Sequence, residues 1–230
     1  MEVIHSGTHR ESPHNSSHSL MGVGRPNSLM RLTYVAKRGF DVIVSSATLV
    51  FTLPLMILIA AVVALDGGPI FYLSSRIGAR GEPFKCIKFR TTLLDADQCL
   101  EEYFYYHQSA RGDWLQDRKL AFDPRITPIG SMLRRSGLDE LPQMINVIRG
   151  EMSLVGPRAV TVSELENGSG ADLDKCMRPG VTGLWKVNGS DDVSAQVAFD
   201  EHDMHNWSVI LDLWILYQTV RATSTKRAAT

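Results

Sequence analysis

One stretch limits what this chain can fold into more than any other. Between Val42 and Leu65 there is no charged residue, and a proline, Pro54, stands near the middle. A straight helix over Phe40–Leu65 would be about 39 Å long at 1.5 Å per residue, more than the roughly 30 Å of a bilayer's hydrocarbon layer. Pro54 complicates that reading. It lacks the amide hydrogen a helix interior needs, and its ring collides with the carbonyl of Val50, so a kink or break is predicted there. Each half alone covers only about 18–21 Å, too little to cross. Thr48 and Thr52, one turn apart, offer hydroxyls to freed carbonyls. Two topologies stay open: a kinked single pass, or a segment that dips in, turns at Pro54 and returns. The flanks do not choose. Arg25, Arg31, Lys37 and Arg38 precede the run, and Arg76, Arg80 and Lys85 follow it.

The rest of the chain has room for one domain with a real core, at 230 residues in all. Residues 1–30 are polar, rich in Ser, His, Asn, Gly and Pro, and read as a disordered tail; the membrane segment is assigned to 31–66 and a cytosolic domain to 67–222. His5, His9, His14 and His18 lack the fixed spacing of a metal site. A net charge of −1 gives nucleic-acid binding no support. Three cysteines, Cys86, Cys99 and Cys176, form no CxxC pair and read as free thiols in a reducing compartment. After the turn signal Gly67-Gly68-Pro69, extended pieces are expected at Ile70–Leu73 and Phe84–Arg90, with Lys88 and Arg90 on one face, suited to gripping a phosphate. Residues Asp95–Lys119 read as an acidic, aromatic helix packed by Leu100 and Phe104. The fold class expected is α+β, mostly helical, with a few short strands.

The chemistry concentrates in Ser136–Arg158, SGLDELPQMINVIRGEMSLVGPR. Adjacent carboxylates, Asp139 and Glu140, lie among Arg134, Arg135, Arg149 and Arg158. Acid pairs repel unless cations compensate them, so the pattern points to an anionic ligand or a metal–phosphate ion. Leu141, Met144, Ile145 and Ile148 form one apolar stripe of a short helix that Gly150 stops, which predicts Asp139 at or near its N-cap, kept ionised by helix N–H groups. Near the end, Asn206–Arg221 reads as a helix too short to span, lying in the membrane interface or packed beneath the site. Asp200, His202, Asp203 and His205 invite a metal reading but lack an independent further ligand.

From Lys37 to Thr219 the chain resembles the monotopic bacterial sugar transferases, the polyprenyl-phosphate phosphoglycosyl transferases. The matching pieces include KRGFDVIV, GGPIFY, RIGARGEPFKCIKFRT, DPRITPIGSMLRRSGLDELPQMINVIRGEMSLVGPR, RPGVTGLWKVNG and FDEHDMHNWS. Within that family it is most similar to enzymes that start exopolysaccharide repeat units. The resemblance implies a re-entrant helix–break–helix in the bacterial inner membrane, with the catalytic domain on the cytoplasmic face. It implies an Asp139–Glu140 dyad, Mg²⁺ with Asp139 as ligand, and a UDP-sugar and undecaprenyl phosphate as substrates. Galactose-1-phosphate is the group expected to move. Lys88, Arg90, Arg135 and Arg158 are the candidate phosphate clamps. Assembly as a homo-oligomer is compatible with the sequence. A Ser-Pro pair often marks the family's break; here Leu53-Pro54 stands there, with Thr52 supplying the hydroxyl. Where the family has GRN, this chain has Gly189-Ser190-Asp191, and GPRP has become Gly156-Pro157-Arg158-Ala159. Both departures fall on the side expected to hold nucleotide or sugar. A diverged, non-catalytic relative regulating polysaccharide assembly is the alternative reading.

Overall fold

A computed structural model describes residues 28–117, 120, 122–162, 164, 177–187 and 208–228. The polar tail before residue 28, the histidine pair at 202 and 205, Ser190-Asp191 and Trp207 lie outside them. The first helix, α1 (Ser28–Ala64), starts inside the stretch expected to be disordered and stays helical through Pro54. The missing amide costs one hydrogen bond, which a long helix tolerates without ending. Thr52 does bond a carbonyl, but that of Thr48 (2.7 Å) rather than the freed one of Val50. Tyr34–Ala64 is long and apolar enough to cross a membrane.

One stripe of α1 faces the protein. Asp41, Ser45, Met56, Ile59 and Val63 are buried at steps of three and four residues, with Leu49 and Thr52 partly covered between them. The other faces stay bare: Val50, Phe51, Leu53, Ile57 and Leu58 are exposed, Phe51 to 87%. Two apolar clusters meet that stripe. Phe40, Val44 and Leu49 pack on Phe84, Val147, Met152, Leu154 and Ile215; farther along, Met56, Ile59 and Val63 pack with Phe89 and Leu133.

The hairpin β1 (Phe71–Ile77) and β2 (Pro83–Phe89) pairs antiparallel, Phe71 opposite Phe89 and Ile77 opposite Pro83. Helices α2 (Ala96–Tyr106) and α3 (Gln108–Asp117) divide the single helix expected there, α2 packing through Leu100 and Phe104. Helix α4 (Pro128–Ser136) is written plainly in the sequence: the Thr127 hydroxyl accepts from the Gly130 amide at 2.8 Å, Pro128 opens the first turn, and Gly137 closes the helix at φ +69°. Gly130 admits close contact, since a Cβ there would sit 2.0 Å from the Thr91 carbonyl oxygen. A 3₁₀ turn (Leu138–Glu140) leads to α5 (Gln143–Arg149). Strands β3 (Ser153–Val155) and β4 (Gly180–Thr182) make a short parallel pair, followed by α6 (Leu184–Val187) and α7 (Val209–Ala228).

Two expectations shift here. Asp139 is not at the N-cap of α5; it lies inside the 3₁₀ turn, and Pro142 holds the cap position. The buried side of α5 is Gln143, Met144, Asn146 and Val147 rather than the stripe ending at Ile148, which is exposed. Asn146 explains the rotation: its amide accepts from the Ile87 N–H (3.0 Å) and donates to the Lys85 carbonyl (2.8 Å) and Glu151 (2.6 Å), turning it inward onto β2.

Candidate active site

Three elements converge on the turn between α4 and α5. Glu140 accepts from the Lys88 ammonium of β2 at 2.9 Å through one oxygen and from the Lys186 ammonium of α6 through the other. Burial pushes the Glu140 carboxyl up, but the charges and hydrogen bonds of Lys186 and Lys88 outweigh it and hold the group at about 2. Burial opposes charge on Lys88 too, and Glu140 more than offsets that, so its ammonium sits above the ordinary lysine range.

Asp139 differs from its neighbour. It is only 8% exposed, and among the described residues no side chain or amide donates to its carboxylate. Burial, then the charge of Glu140, raises its carboxyl above the ordinary range, while Lys88, Arg134 and Lys186 pull the other way. The result is one acid locked by two lysines and one left unengaged beside three cations. An unengaged carboxylate in a cationic hollow suits attack on phosphorus, or sharing a metal ion with a phosphate.

The other expected site residues scatter. Arg90 does not reach the pair. Its guanidinium, 6% exposed, donates to the carbonyls of Pro69 (2.8 Å), Val63 (2.9 Å) and Thr92 (3.1 Å) and lies 3.5 Å from Asp66. That ties the end of α1 to the hairpin. Arg158 forks onto Glu164 at 2.6 and 3.1 Å. Arg135 is exposed at the end of α4. Thr52 and Pro54 lie about two-thirds of the way along α1, Pro54 facing outward. Two residues outside the expected set of phosphate clamps complete it. Lys186 stands in the GLWKVNG stretch, a lysine flanked by apolar residues, which is the only signal it offered. Arg134, anchored by its Nε to the Thr91 hydroxyl at 2.8 Å, supplies the charge that Arg135 was expected to bring.

For a Mg²⁺ ion, the donor set is narrow. The described residues hold no cluster of three or more His, Cys, Asp or Glu, and both Glu140 oxygens are taken by lysines. Of the two acids, only Asp139 has oxygens with no ammonium on them among the described residues. One carboxylate fits an ion that takes its remaining ligands from water and substrate phosphates.

The protein is thus a small α+β domain that sets a free carboxylate among cations, joined to a helix long and apolar enough to cross a membrane. The family model described as bacterial sugar transferase matches residues 32–226, and the chain belongs to that family. It is 46% identical over 199 residues to the exopolysaccharide production protein ExoY of Sinorhizobium fredii, covering 85% of this chain and 88% of that protein. It is 40% identical over 209 residues to the undecaprenyl-phosphate galactose phosphotransferase of Salmonella typhimurium, 89% of this chain and 44% of the relative. To the UDP-glucose:undecaprenyl-phosphate glucose-1-phosphate transferase of Escherichia coli it is 32% identical over 205 residues, 84% and 41% of the two chains.

Proposed function

We propose that this chain transfers a sugar-1-phosphate, galactose-1-phosphate by preference, from a UDP-sugar to undecaprenyl phosphate, releasing UMP and starting an exopolysaccharide repeat unit. The observation that carries the reading is the unengaged, buried Asp139 carboxylate beside a Glu140 whose two oxygens are held by Lys88 and Lys186. An Asp139 oxygen attacks the β-phosphorus of the UDP-sugar. The bond from that phosphorus to the bridging oxygen breaks, UMP leaves, and the sugar phosphate is esterified to the aspartate. An oxygen of undecaprenyl phosphate then attacks the same phosphorus and displaces Asp139, giving the lipid diphosphate sugar. Glu140 acts by position: with both oxygens bonded to ammonium groups it holds Lys88 and Lys186 against the substrate phosphates rather than taking a proton. Arg134 adds charge from the other side. Asp139 is the residue that would hold a Mg²⁺ ion, whose chemistry there would be to neutralise charge on the substrate phosphates.

Topology is part of the same proposal. Arg38, near the start of α1, donates to the carbonyls of Val147 (2.6 Å) and Ile148 (2.9 Å), while Val63 at the other end accepts from Arg90. Both anchors belong to one packed domain, β2 and α5 being joined through Asn146. A helix tied to that domain at both ends cannot leave one end across a roughly 30 Å hydrocarbon layer. This supports a helix that stays with a single leaflet, its bare side toward lipid, over a single pass. The outer stripe of α7, with Ile210, Leu213, Trp214, Tyr217 and Val220 exposed, supports a second contact at the lipid interface. The cytoplasmic leaflet of the bacterial inner membrane is the placement that brings UDP-sugar to the site.

The test is covalent trapping. Purified protein is incubated with a UDP-sugar radiolabelled in the sugar, without lipid acceptor, and the protein band is counted. Label on the wild type but not on Asp139→Asn is the expected result; equal label on both eliminates Asp139 as nucleophile. A folded wild type that releases no UMP with acceptor present would leave only a lipid-phosphate-binding relative.

A further inference from the structure

Away from the dyad, a groove of about 1280 Å³ opens between the first turns of α1, the β1–β2 turn and the end of α5. Lys37, Arg38, Arg80, Lys85, Arg149 and Arg178 line it, against Asp41, Glu82 and Glu151. Lys37 is matched by Asp212 from outside the groove, so five cations face three acids, a surplus of two positive charges. The acids are partly engaged too: Asp41 accepts from the Ser153 hydroxyl (2.7 Å), and Glu151 from Asn146.

The cations differ in what they already do. Arg38 and Arg178 bond backbone carbonyls, and Lys85 bonds the Ser75 hydroxyl at 2.6 Å. Arg80 and Arg149 make no hydrogen bond or ion pair among the described residues. Arg80 is also the one non-glycine residue there with a left-handed backbone, at φ +67°.

The surroundings indicate where the ligand comes from. Tyr34 lines the groove, its phenol accepting from Arg178, whose guanidinium carbon lies 5.4 Å from the ring centroid. Beside it α1 exposes Leu32 and Val35, and the apolar stretch begins at Tyr34. Aromatic and cationic groups at the mouth of an apolar helix sit at headgroup level. Lys85 is three residues from Lys88 along β2, about 10 Å, so the groove is separate from the reacting centre.

We propose that this groove binds the phosphate of an anionic phospholipid headgroup, with the acyl chains running along the bare side of α1. The proposal rests on the membrane reading of α1 but not on sugar transfer. Removing two juxtamembrane cations is expected to lower the preference for anionic lipid roughly thirtyfold, at low salt. The full chain is reconstituted in nanodiscs of equal phosphatidylglycerol and phosphatidylcholine, with no UDP-sugar present, and lipids retained after transfer to detergent are identified by native mass spectrometry. Wild type retaining phosphatidylglycerol, with Arg80→Gln/Arg149→Gln losing the preference, is the expected outcome. The single Arg149→Gln variant, altered only at an exposed helix end, repeats the test should the double variant misfold. Equal retention by wild type and variants overturns the proposal. So does displacement of the lipid by excess inorganic phosphate or UMP, which would assign the groove to a soluble anion.

Discussion

Replacing Arg90 by methionine separates an anchor from a substrate clamp. The change keeps the apolar stem and removes the fork that donates to Val63, Pro69 and Thr92. Val63 lies in the last turn of α1, where carbonyls lack helical partners, and the Gly67 amide that would follow it bonds Ala64 instead. Arg90 therefore caps the helix with a full positive charge at its negative end. Charged hydrogen bonds are worth about 1.5–3 kcal/mol each, and three sharing one group do not add fully, so a loss of about 3–4 kcal/mol is expected. Asp66, half exposed at 3.5 Å, adds little. At 2–4 °C per kcal/mol for a chain of this size, the melting midpoint should fall about 10 °C. Arg90→Lys should recover only a fraction, because one ammonium cannot fork to three carbonyls. The measurement is thermal unfolding in nanodiscs alongside KM for UDP-sugar below the transition. An unchanged midpoint with a raised KM would refute the anchor and return Arg90 to the substrate.

Lys186→Met frees one Glu140 oxygen while leaving Lys88 in place; turnover in a UMP-release assay should fall about tenfold, the equivalent of about 1.4 kcal/mol of transition-state stabilisation, with Lys186→Arg retaining part. A drop in melting midpoint with turnover per folded enzyme unchanged would make Lys186 merely structural. Asp123→Asn tests a second ion pair. Burial pushes that carboxyl up, but the Arg125 side-chain bonds (2.8 and 2.7 Å) and backbone N–H (3.0 Å) hold it below the ordinary range. A depressed carboxyl stabilises the fold above its unfolded value of about 3.9 and loses that contribution as pH falls below it. The variant should therefore melt lower at neutral pH and show a flatter acid limb between pH 5 and 3, scanned by intrinsic fluorescence.

What the sequence disclosed, and what it withheld, follows from how far each residue's role depends on distant chain. The α1 run and Gly150 after α5 are local signals, and both fall where their chemistry placed them, while the equally local Thr127-Pro128 start and Gly137 stop of α4 passed unread. The break expected at Pro54 was a local inference too, but one lost hydrogen bond competes with a stripe of packing that runs from Asp41 to Val63. The strands slid by a few residues: β1 extends to Ile77, because its partner β2 fixes its length and no single strand encodes that. Asn146 turned α5 away from its most apolar face. A polar residue that satisfies an amide and a carbonyl of another element outranks one exposed isoleucine, and sequence periodicity cannot weigh the two.

The site shows the same division more sharply. Adjacent acids among arginines were legible because they are neighbours in sequence, yet their opposite electrostatics were not. Asp139 and Glu140 become different groups only when Lys88, 52 residues before Glu140, and Lys186, 46 after it, both choose Glu140. Alternation on β2 put Lys88 and Arg90 on one face, but a face does not specify depth, and the two side chains go to different partners. Beyond Phe89 the chain leaves the strand, and the Arg90 guanidinium folds back beneath the hairpin to cap α1. Arg134 and Arg135 differ by about 100° of helix phase, and only the packing of Gly130 against Thr91 sets which one turns toward Asp139. An unengaged aspartate is thus a tertiary product. It depends on a neighbouring glutamate absorbing the two lysines that would otherwise pair with it, so Glu140→Gln should release a lysine to Asp139 and silence the nucleophile without touching it.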